Sequence, residues 1–383
     1  MSVPTLVLLL AGSAHAGEKP VLRVETWNVG LAHGFVDNAS ERLPHIVEAM
    51  QESSADVICL QEAWEPDDRR ALRSAVENAY PYRHVTKVEQ HKASTAPVCK
   101  KDDLFGEGKF VSCLTGECGN TSGDDKTDCI IEQCGPALEA LKTAKPECAN
   151  ALMAQVGKSS VAALWNVVRP VRKTGLFAYG GSDGLMMMSR RPLENTRVVD
   201  FTDISTLNRR RALVADVPAG DTTITVACTH LTADLSALAP YPGPFDNWGP
   251  ENRAQIDRLL DAVKGDQPTV VMGDFNCGIG DDTLHLAEEL PSSCEAMEAG
   301  GFDDPTRTLW PGCTWCSDNT INAQGEGEHT NALIDHVYIR GLVPVAGGVT
   351  YMQTVPLKTR SGTAQSSLSD HYGYGMTVAL PSN

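Results

Sequence analysis

Residues 56–64, "DVICLQEAW", set four apolar side chains, Val57 through Leu60, in an unbroken run that ends at the polar pair Gln61-Glu62. The run is too short for a helix and fits a strand buried on both faces. Its flanks have the other period. In "ERLPHIVEAMQ" (41–51), Leu43, Ile46, Val47 and Met50 recur at i, i+3, i+4 and i+7, and from Pro66 onward Leu72, Ala75, Val76 and Ala79 fall on one side of a second helix. With "VLRVETWNVG" (21–30) as a preceding strand, the order is strand, helix, strand, helix, the grammar of a layered α/β protein.

The same grammar resumes after an interruption at about 90–173, a cysteine-rich stretch followed by the helix-like segment 137–168. "GLMMMSRRPL" (184–193), "TRVVDF" (196–201), "ALVADV" (212–217) and "TTITVACTHL" (222–231) are closely spaced strands that suit an antiparallel sheet. "PENRAQIDRLLDAV" (250–263) puts Ile256, Leu259, Leu260 and Val263 on one helical stripe. It leads to the buried strand "TVVMGDFN" (269–276), then "ALIDHVYIRG" (332–341), "SLSDHYGYG" (367–375) and a last strand "YGMTVAL" (374–380). No internal repeat occurs. The reading is one mixed sandwich with an insertion, spanning 17–383.

Charge and cysteines bound the setting. "MSVPTLVLLLAGSAHAGEKP" (1–20) is apolar for about a dozen residues and then meets Ala14-His15-Ala16, the cleavage pattern of a secretory signal, so 1–16 is expected to be removed and the mature chain secreted, extracellular or periplasmic. No later run reaches the ~18 apolar residues of a membrane span. The formal net charge of −17 disfavours a phosphate-rich polymer as partner, suits capture of divalent cations and keeps an exported monomer soluble. Six of the twelve cysteines (Cys99, Cys113, Cys118, Cys129, Cys134, Cys148) lie in a polar stretch with little hydrophobic period, where three disulfides are the natural support, and reductant is expected to loosen that stretch far more than the sandwich. Cys277, Cys294, Cys313 and Cys316 supply two more bridges. The Cys313-x-x-Cys316 spacing lacks the second pair of a zinc site. Cys59 and Cys228, inside apolar strands, are expected to be buried thiols.

Polar residues of a particular kind end the buried strands: Asn28, Glu62, His230, Asp274 with Asn276, and, at the boundaries of the last strands, Asp335 and Asp370-His371. A cluster of hard oxygen ligands at one edge of a sandwich calls for a cation, and the implied chemistry is metal-assisted hydrolysis. His33, His45 and His336 are assigned to surface or packing, and His336 is expected to tolerate replacement. Trp27 and Trp64 are assigned to core or cleft wall.

At "TWNVG", "LQEAW", "THL", "GDFN", "IDHVY" and "SDH", in that order over nearly the whole mature chain, the sequence resembles the endonuclease/exonuclease/phosphatase superfamily. The resemblance implies a four-layer α/β sandwich of two packed mixed β-sheets flanked by helices, with the site at one end. It implies Glu62 as principal ligand of Mg²⁺, or of Mn²⁺ as substitute, with Asn28 and Asp370 completing the metal environment. His371 would take the proton of the attacking water, oriented by Asp335. Asp274 and Asn276, on one face of an extended segment, would orient the nucleophile, and His230 would donate to a phosphoryl oxygen.

Within that superfamily the cues are most similar to the sphingomyelinase-type phospholipase C branch: Trp64 two residues after Glu62, "GLMMMSRRPL", and "THLTADL" before a helix bearing Arg253 and Gln255. That branch implies a phospholipid headgroup at a membrane surface as substrate. Tyr241, Phe245 and Trp248, in a Pro- and Gly-rich loop after His230, would then settle at the headgroup level. The alternative reading, that these rings pack the loop onto its own body, stands beside it. A secreted nuclease, or a phosphoinositide or phosphomonoester phosphatase, would use the same catalytic set, and a non-catalytic binding module would not require it.

Overall fold

The computed structural model describes residues 22–33, 35–88, 99–119, 124–155, 167–168, 177–236, 241, 243–324, 330–359 and 362–381. The expected signal segment 1–16 lies outside them, as does part of the insertion.

The short apolar runs become strands and the 3.6-period segments become helices. Strands β1 (Leu22–Asn28), β2 (Val57–Gln61), β3 (Tyr82–His84), β4 (Met186–Ser189), β10 (Val343–Thr350) and β13 (Gly373–Ala379) form a six-stranded sheet in the order β10-β13-β1-β2-β4-β3. Strands β5 (Glu194–Asp200), β6 (Arg211–Ala219), β7 (Thr222–His230), β8 (Thr269–Asp274) and β9 (Asp335–Arg340) form a second sheet in chain order. A separate hairpin joins β11 (Thr354–Thr359) to β12 (Gly362–Ser367).

Both sheets are mixed, and each has one parallel pair: β1 with β2, and β7 with β8. Those pairs fix where chemistry can collect. Parallel neighbours end side by side, so Asn28 stands opposite Gln61, next to Glu62, while His230 stands opposite Asp274. Antiparallel β9 starts where β8 ends, which sets Asp335 opposite Asp274.

Alternation along the strands sorts the core into layers. Val24, Val57, Leu213, Val226, Met272 and Met376 pack between the sheets. The outer face of the first sheet is covered by α1 (Ala39–Glu52) and α2 (Pro66–Val76), with Ile58 and Leu60 against Ile46, Met50 and Leu72. The outer face of the second is covered by α7 (Trp248–Ala262) and α8 (Pro291–Ala299), with Ala227 and Val271 against Ile256, Leu259 and Met297. The order helix, sheet, sheet, helix is the expected four-layer sandwich. Ala79 falls beyond the end of α2, in a turn.

The insertion is more helical than its sequence suggests. Helices α3 (Lys101–Leu104), α4 (Phe110–Gly116), α5 (Asp124–Ala144) and α6 (Pro146–Met153) gather Leu104, Phe110, Val111, Leu138 and Leu141 into a core of their own. Helix α5 starts thirteen residues before the apolar period becomes legible at Ala137, because the bridges Cys113–Cys134 and Cys118–Cys129 fasten its first half where periodicity does not. Cys99–Cys148 completes the set.

Cys59 and Cys228 are not free thiols. They form a disulfide between β2 and β7, fully buried between the two sheets, with a Cα–Cα distance of 5.3 Å. The strand sequences predict their burial, but their facing one another depends on how two sheets stack. Cys277–Cys294 and Cys313–Cys316 complete six bridges and leave no cysteine free. Cross-links are therefore not confined to the insertion.

His336 is a packing residue, but not a dispensable one. Its ring lies 1% exposed, with Nδ1 2.9 Å from Asp304 Oδ2 and Nε2 donating to the Cys277 carbonyl at 2.9 Å. Burial opposes its charge, but Asp304 and the Cys277 carbonyl outweigh burial and raise its pKa.

Two outcomes follow from this core. Replacing Cys59 and Cys228 together by Ala removes a closure across 169 residues and should cost on the order of 5 kcal/mol in the chain-entropy account, against about 3 kcal/mol for Cys118 and Cys129, separated by 11. Calorimetric unfolding of the two double variants ranks them; the reverse order would show that the cross-sheet bridge is not a main support. His336→Leu leaves Asp304 buried and unpaired and should destabilise by about 3–5 kcal/mol. Because the folded pKa of His336 is raised, its contribution is complete below the unfolded value near 6.5 and fades as pH rises through the folded value. Urea unfolding at about pH 6 and about pH 9 should show the wild type losing more stability than the variant on that rise. Parallel losses would assign the pH dependence to other groups.

Candidate active site

The strand ends converge on a buried carboxylate, Asp274. Its Oδ2 accepts from Asn28 Nδ2 at 2.9 Å, across the gap between the sheets, and its Oδ1 accepts from the Asn276 backbone N–H at 2.9 Å. His230 Nε2 lies 3.4 Å and His371 Nε2 3.9 Å from Oδ2. Gly273 allows this approach, since a Cβ there would stand 2.0 Å from the Thr229 carbonyl oxygen. Asn276 is not on an extended face with Asp274: its φ is 48°, so the chain turns, and its side chain donates to the Leu231 carbonyl at 3.0 Å. The Asp274 carboxylate, a short acceptor two residues back, closes that turn.

His371 and Asp335 meet from different sheets. Nδ1 of His371 lies 2.8 Å from Asp335 Oδ2, and both residues are buried. Burial disfavours the imidazolium, but Asp335, Asp274 and Asp370 outweigh it and hold the His371 pKa well above the ordinary value. His230 goes the other way. Burial, then Arg210 and His371, push it well below the usual range, so it is neutral.

Glu62 and Asp370 form the acidic side. Glu62 has φ 60°, an uncommon backbone for a residue with a side chain, and such strain collects at functional sites. Burial, Asp370 and Asp274 raise its pKa to about 7 against the pull of His371 and Arg210. Gly30 lies against Asp370, where a Cβ would stand 2.4 Å from Oδ1. Two half-buried carboxylates close enough to feel each other's charge are costly without a cation, so Glu62 and Asp370 fit a hard divalent ion. Asn28 Oδ1 accepts from the Gly30 N–H at 3.0 Å, which orients the amide beside them. Asp274, Asp335 and His371 offer a second group of ligand atoms within 4.8 Å of one another. Cys277, Cys294 and His336 are equally close, but both sulfurs are spent in a disulfide.

Two arginines escape sequence reasoning. Arg42, on α1, is fully buried and donates to the carbonyls of Asp37, Val29, Leu368 and Gly30, tying the loop after Asn28 to the segment before Asp370. Arg210, just before β6, lies 5.6 Å over the Trp64 ring and close enough to Glu62 and Asp274 to feel their charge. Its Nε and one terminal nitrogen are buried with no hydrogen-bond partner among the described residues. The only sequence signal was the triplet Arg209-Arg210-Arg211, which gives no hint that the middle side chain faces Glu62 and Asp274 while its two neighbours, also buried, pair with Asp200. Trp64 stacks on Tyr179 at 5.1 Å and stands 6.0 Å from His230, as a wall of the cleft.

The residues expected to bind substrate are not gathered here. Arg253 is on the exposed side of α7 and pairs with Asp257 at 2.9 Å and the Ser292 carbonyl at 3.2 Å. Gln255 is buried and bonds to Thr232 and Ser205, and Asn252 donates to the Thr232 and Phe275 carbonyls. Positions 252 and 255 share the inner face of the helix and 253 does not, so this pair secures the loops behind His230 and Asp274. Tyr241 and Trp248 are buried edge to face at 4.9 Å, with the Tyr241 hydroxyl on Glu251, and Phe245 is half-buried. The loop aromatics pack onto their own body.

The fold is shared with solved structures at low sequence identity. The chain superposes with a TM-score of 0.55 on sphingomyelinase C from Streptomyces griseocarneus, at 16% identity over 94% of this chain and 99% of that one. The TM-score is 0.51 with an endonuclease/exonuclease/phosphatase from Beutenbergia cavernae DSM 12333, at 19% identity over 94% and 72%. With TDP2 from C. elegans it is 0.50, at 12% identity over 95% and 78%. No curated protein matches the sequence. The model of the endonuclease/exonuclease/phosphatase family matches residues 26–371, a span that contains Asn28, Glu62, His230, Asp274, Asp335, Asp370 and His371, and the chain belongs to that family, whose members are hydrolases of phosphodiester bonds.

Proposed function

We propose that the protein is a Mg²⁺-dependent phosphodiesterase, secreted into an oxidising compartment, in which His371 activates a water for in-line attack on phosphorus. The observation that carries this reading is the buried Asp335–His371 hydrogen bond, 2.8 Å long, beside Asp274 and an Arg210 with two buried nitrogens that have no hydrogen-bond partner among the described residues. Above its raised pKa, with its Nδ1–H held by Asp335, the imidazole offers a proton-free Nε2 as a base. Asp274 orients the nucleophile, and Asn276, tied to the Leu231 carbonyl, holds the turn that fixes the Asp274 carboxylate. Neutral His230, with its proton on Nε2, and the free donors of Arg210 point their dipole and charge at the phosphoryl oxygens as negative charge develops there.

Glu62 and Asp370, with Asn28 beside them, hold the divalent ion, Mg²⁺ or in its place Mn²⁺. When bound, it neutralises charge on the phosphoryl group. Six disulfides using every cysteine fit an extracellular or periplasmic protein, and no helix among the described residues is long and apolar enough to cross a membrane.

The substrate we favour is a phospholipid headgroup diester, in the manner of a sphingomyelinase-type phospholipase C. A net charge of −17 opposes a polyanionic strand, and the likeness to sphingomyelinase C extends over nearly all of both chains. The buried loop aromatics lend that choice nothing, and an extracellular nuclease remains the second reading. Sphingomyelin, lysophospholipid, phosphoinositide and duplex DNA, each offered with Mg²⁺, separate the two. Turnover of DNA alone would overturn the lipid assignment.

Chelation should abolish hydrolysis and added Mg²⁺ restore it, while Glu62→Gln should lose activity with an unchanged unfolding curve, since one carboxylate leaves the metal site and none leaves the core. Full turnover after exhaustive chelation would remove the metal from the reading. Arg210→Met should lower kcat on the order of 10²–10³-fold. His371→Ala should cost at least as much, and Asp335→Asn added to it should cost little more, because both disable the same step. Kinetics of the two single variants and the double on one soluble phosphodiester decide it; additive losses would separate the two residues into different roles.

A further inference from the structure

We infer that Thr314, enclosed by the Cys313–Cys316 disulfide, is the positioning residue that keeps Asp335 and His371 in register. Asp335 opens β9 in one sheet, and His371 precedes β13 in the other. Their contact therefore depends on how those two backbones are held, and the Asp335 side chain cannot hold itself, because its second oxygen, Oδ1, is buried without a partner among the described residues.

Thr314 touches both backbones. It is fully buried, and its hydroxyl accepts from the N–H groups of Ile334 at 3.3 Å and Asp335 at 3.1 Å. Its own N–H donates to the Ala332 carbonyl at 3.0 Å, and its carbonyl accepts from the Tyr372 N–H at 2.8 Å. Trp315 continues the splice, pairing with Ala332 on one side and His371 on the other as isolated bridges.

The segment that follows grips the same peptide. Asn319 donates to the Ser369 carbonyl at 2.7 Å and Asn322 to the Asp370 carbonyl at 2.8 Å. The disulfide closes Thr314 and Trp315 into a four-residue ring and restricts the turn that makes these bonds possible. A hydroxyl is needed at 314 because it is the acceptor for two buried N–H groups, and Val, of the same shape, would leave both unpaired.

The inference rests on the catalytic reading of His371 and Asp335, so its test carries a readout that needs no turnover. In the full-length protein, a hydrogen-bonded Nδ1–H of His371 should give a proton resonance downfield of the amide region, assigned by its loss in His371→Gln. Thr314→Val should abolish or broaden it and lower kcat about a hundredfold, as expected when a reacting group is displaced by about an ångström. KM should change less than about twofold, since the interaction lost belongs to the transition state. Thr314→Ser should restore both. If Thr314→Val does not fold, Cys313→Ser with Cys316→Ser opens the ring while keeping the hydroxyl, and should weaken the resonance in the same direction. A wild-type resonance and rate in either folded variant, or no resonance in the wild type, overturns the inference. Should the wild type hydrolyse none of the phosphodiesters offered, the enzymatic reading falls while the resonance still decides the placement.

Discussion

A carboxylate taken out of water between two sheets is the constraint on which the site depends. Asp274 ends a fully buried strand, and burial, with Asp335 nearby, pushes its pKa up to about 6 against the pull of His371, Asn28 and Asn276. It is kept in place because groups from both sheets supply hydrogen bonds: Asn28 from one, the Asn276 backbone from its own turn. Such a group is stable only while its neighbours stay put. The strained backbone at Glu62 and Asn276, Gly30 against Asp370, and the four carbonyls gathered by Arg42 all serve to bring those neighbours close.

The electrostatics around that point are divided between two histidines. His371 faces three carboxylates that outweigh its burial, whereas His230 is buried beside Arg210, so one is drawn toward the charged form and the other is kept neutral. Environment separates their roles, as it must when one small space has to hold both a base and a donor. Arg210, His230 and Asp335, which surround Asp274, each keep a buried polar atom with no partner among the described residues. Buried polar atoms without partners are expensive, and three charged or titratable residues that carry them around one carboxylate suit a charged ligand.

Covalent cross-links do different work in different places. The bridge between β2 and β7 fastens the sheets within three residues of Glu62 and two of His230, and so ties the two halves of the cleft directly. In the insertion, three bridges act together with a small apolar core to fix the helices. At 313–316 a bridge closes a ring too small to stabilise a core, and its value lies in the backbone it shapes.

Much of this was legible in the chain. Period gave most strands of the two sheets and the covering helices α1, α2 and α7, though not β3, β10 or α8, and the polar residues closing those strands named the candidate members of the site, because a buried strand can end in Glu62, Asp274 or His230 only if something other than a core receives them. Sequence could not tell which residues face one another across the two sheets. The Cys59–Cys228 bond, the turn of Arg210 toward Glu62 and Asp274 among three consecutive arginines, the pairing of His336 with Asp304 and the burial of Tyr241 and Trp248 depend on stacking and loop closure, where contacts join positions up to hundreds of residues apart. Spacing misled at Arg253 for the same reason. One residue along a helix turns a side chain by about 100°, and only the packed helix shows that 252 and 255, rather than 253, face inward. The sequence determined the elements and the chemistry they carry; the tertiary structure decided which groups are buried together, and burial is what sets their charge.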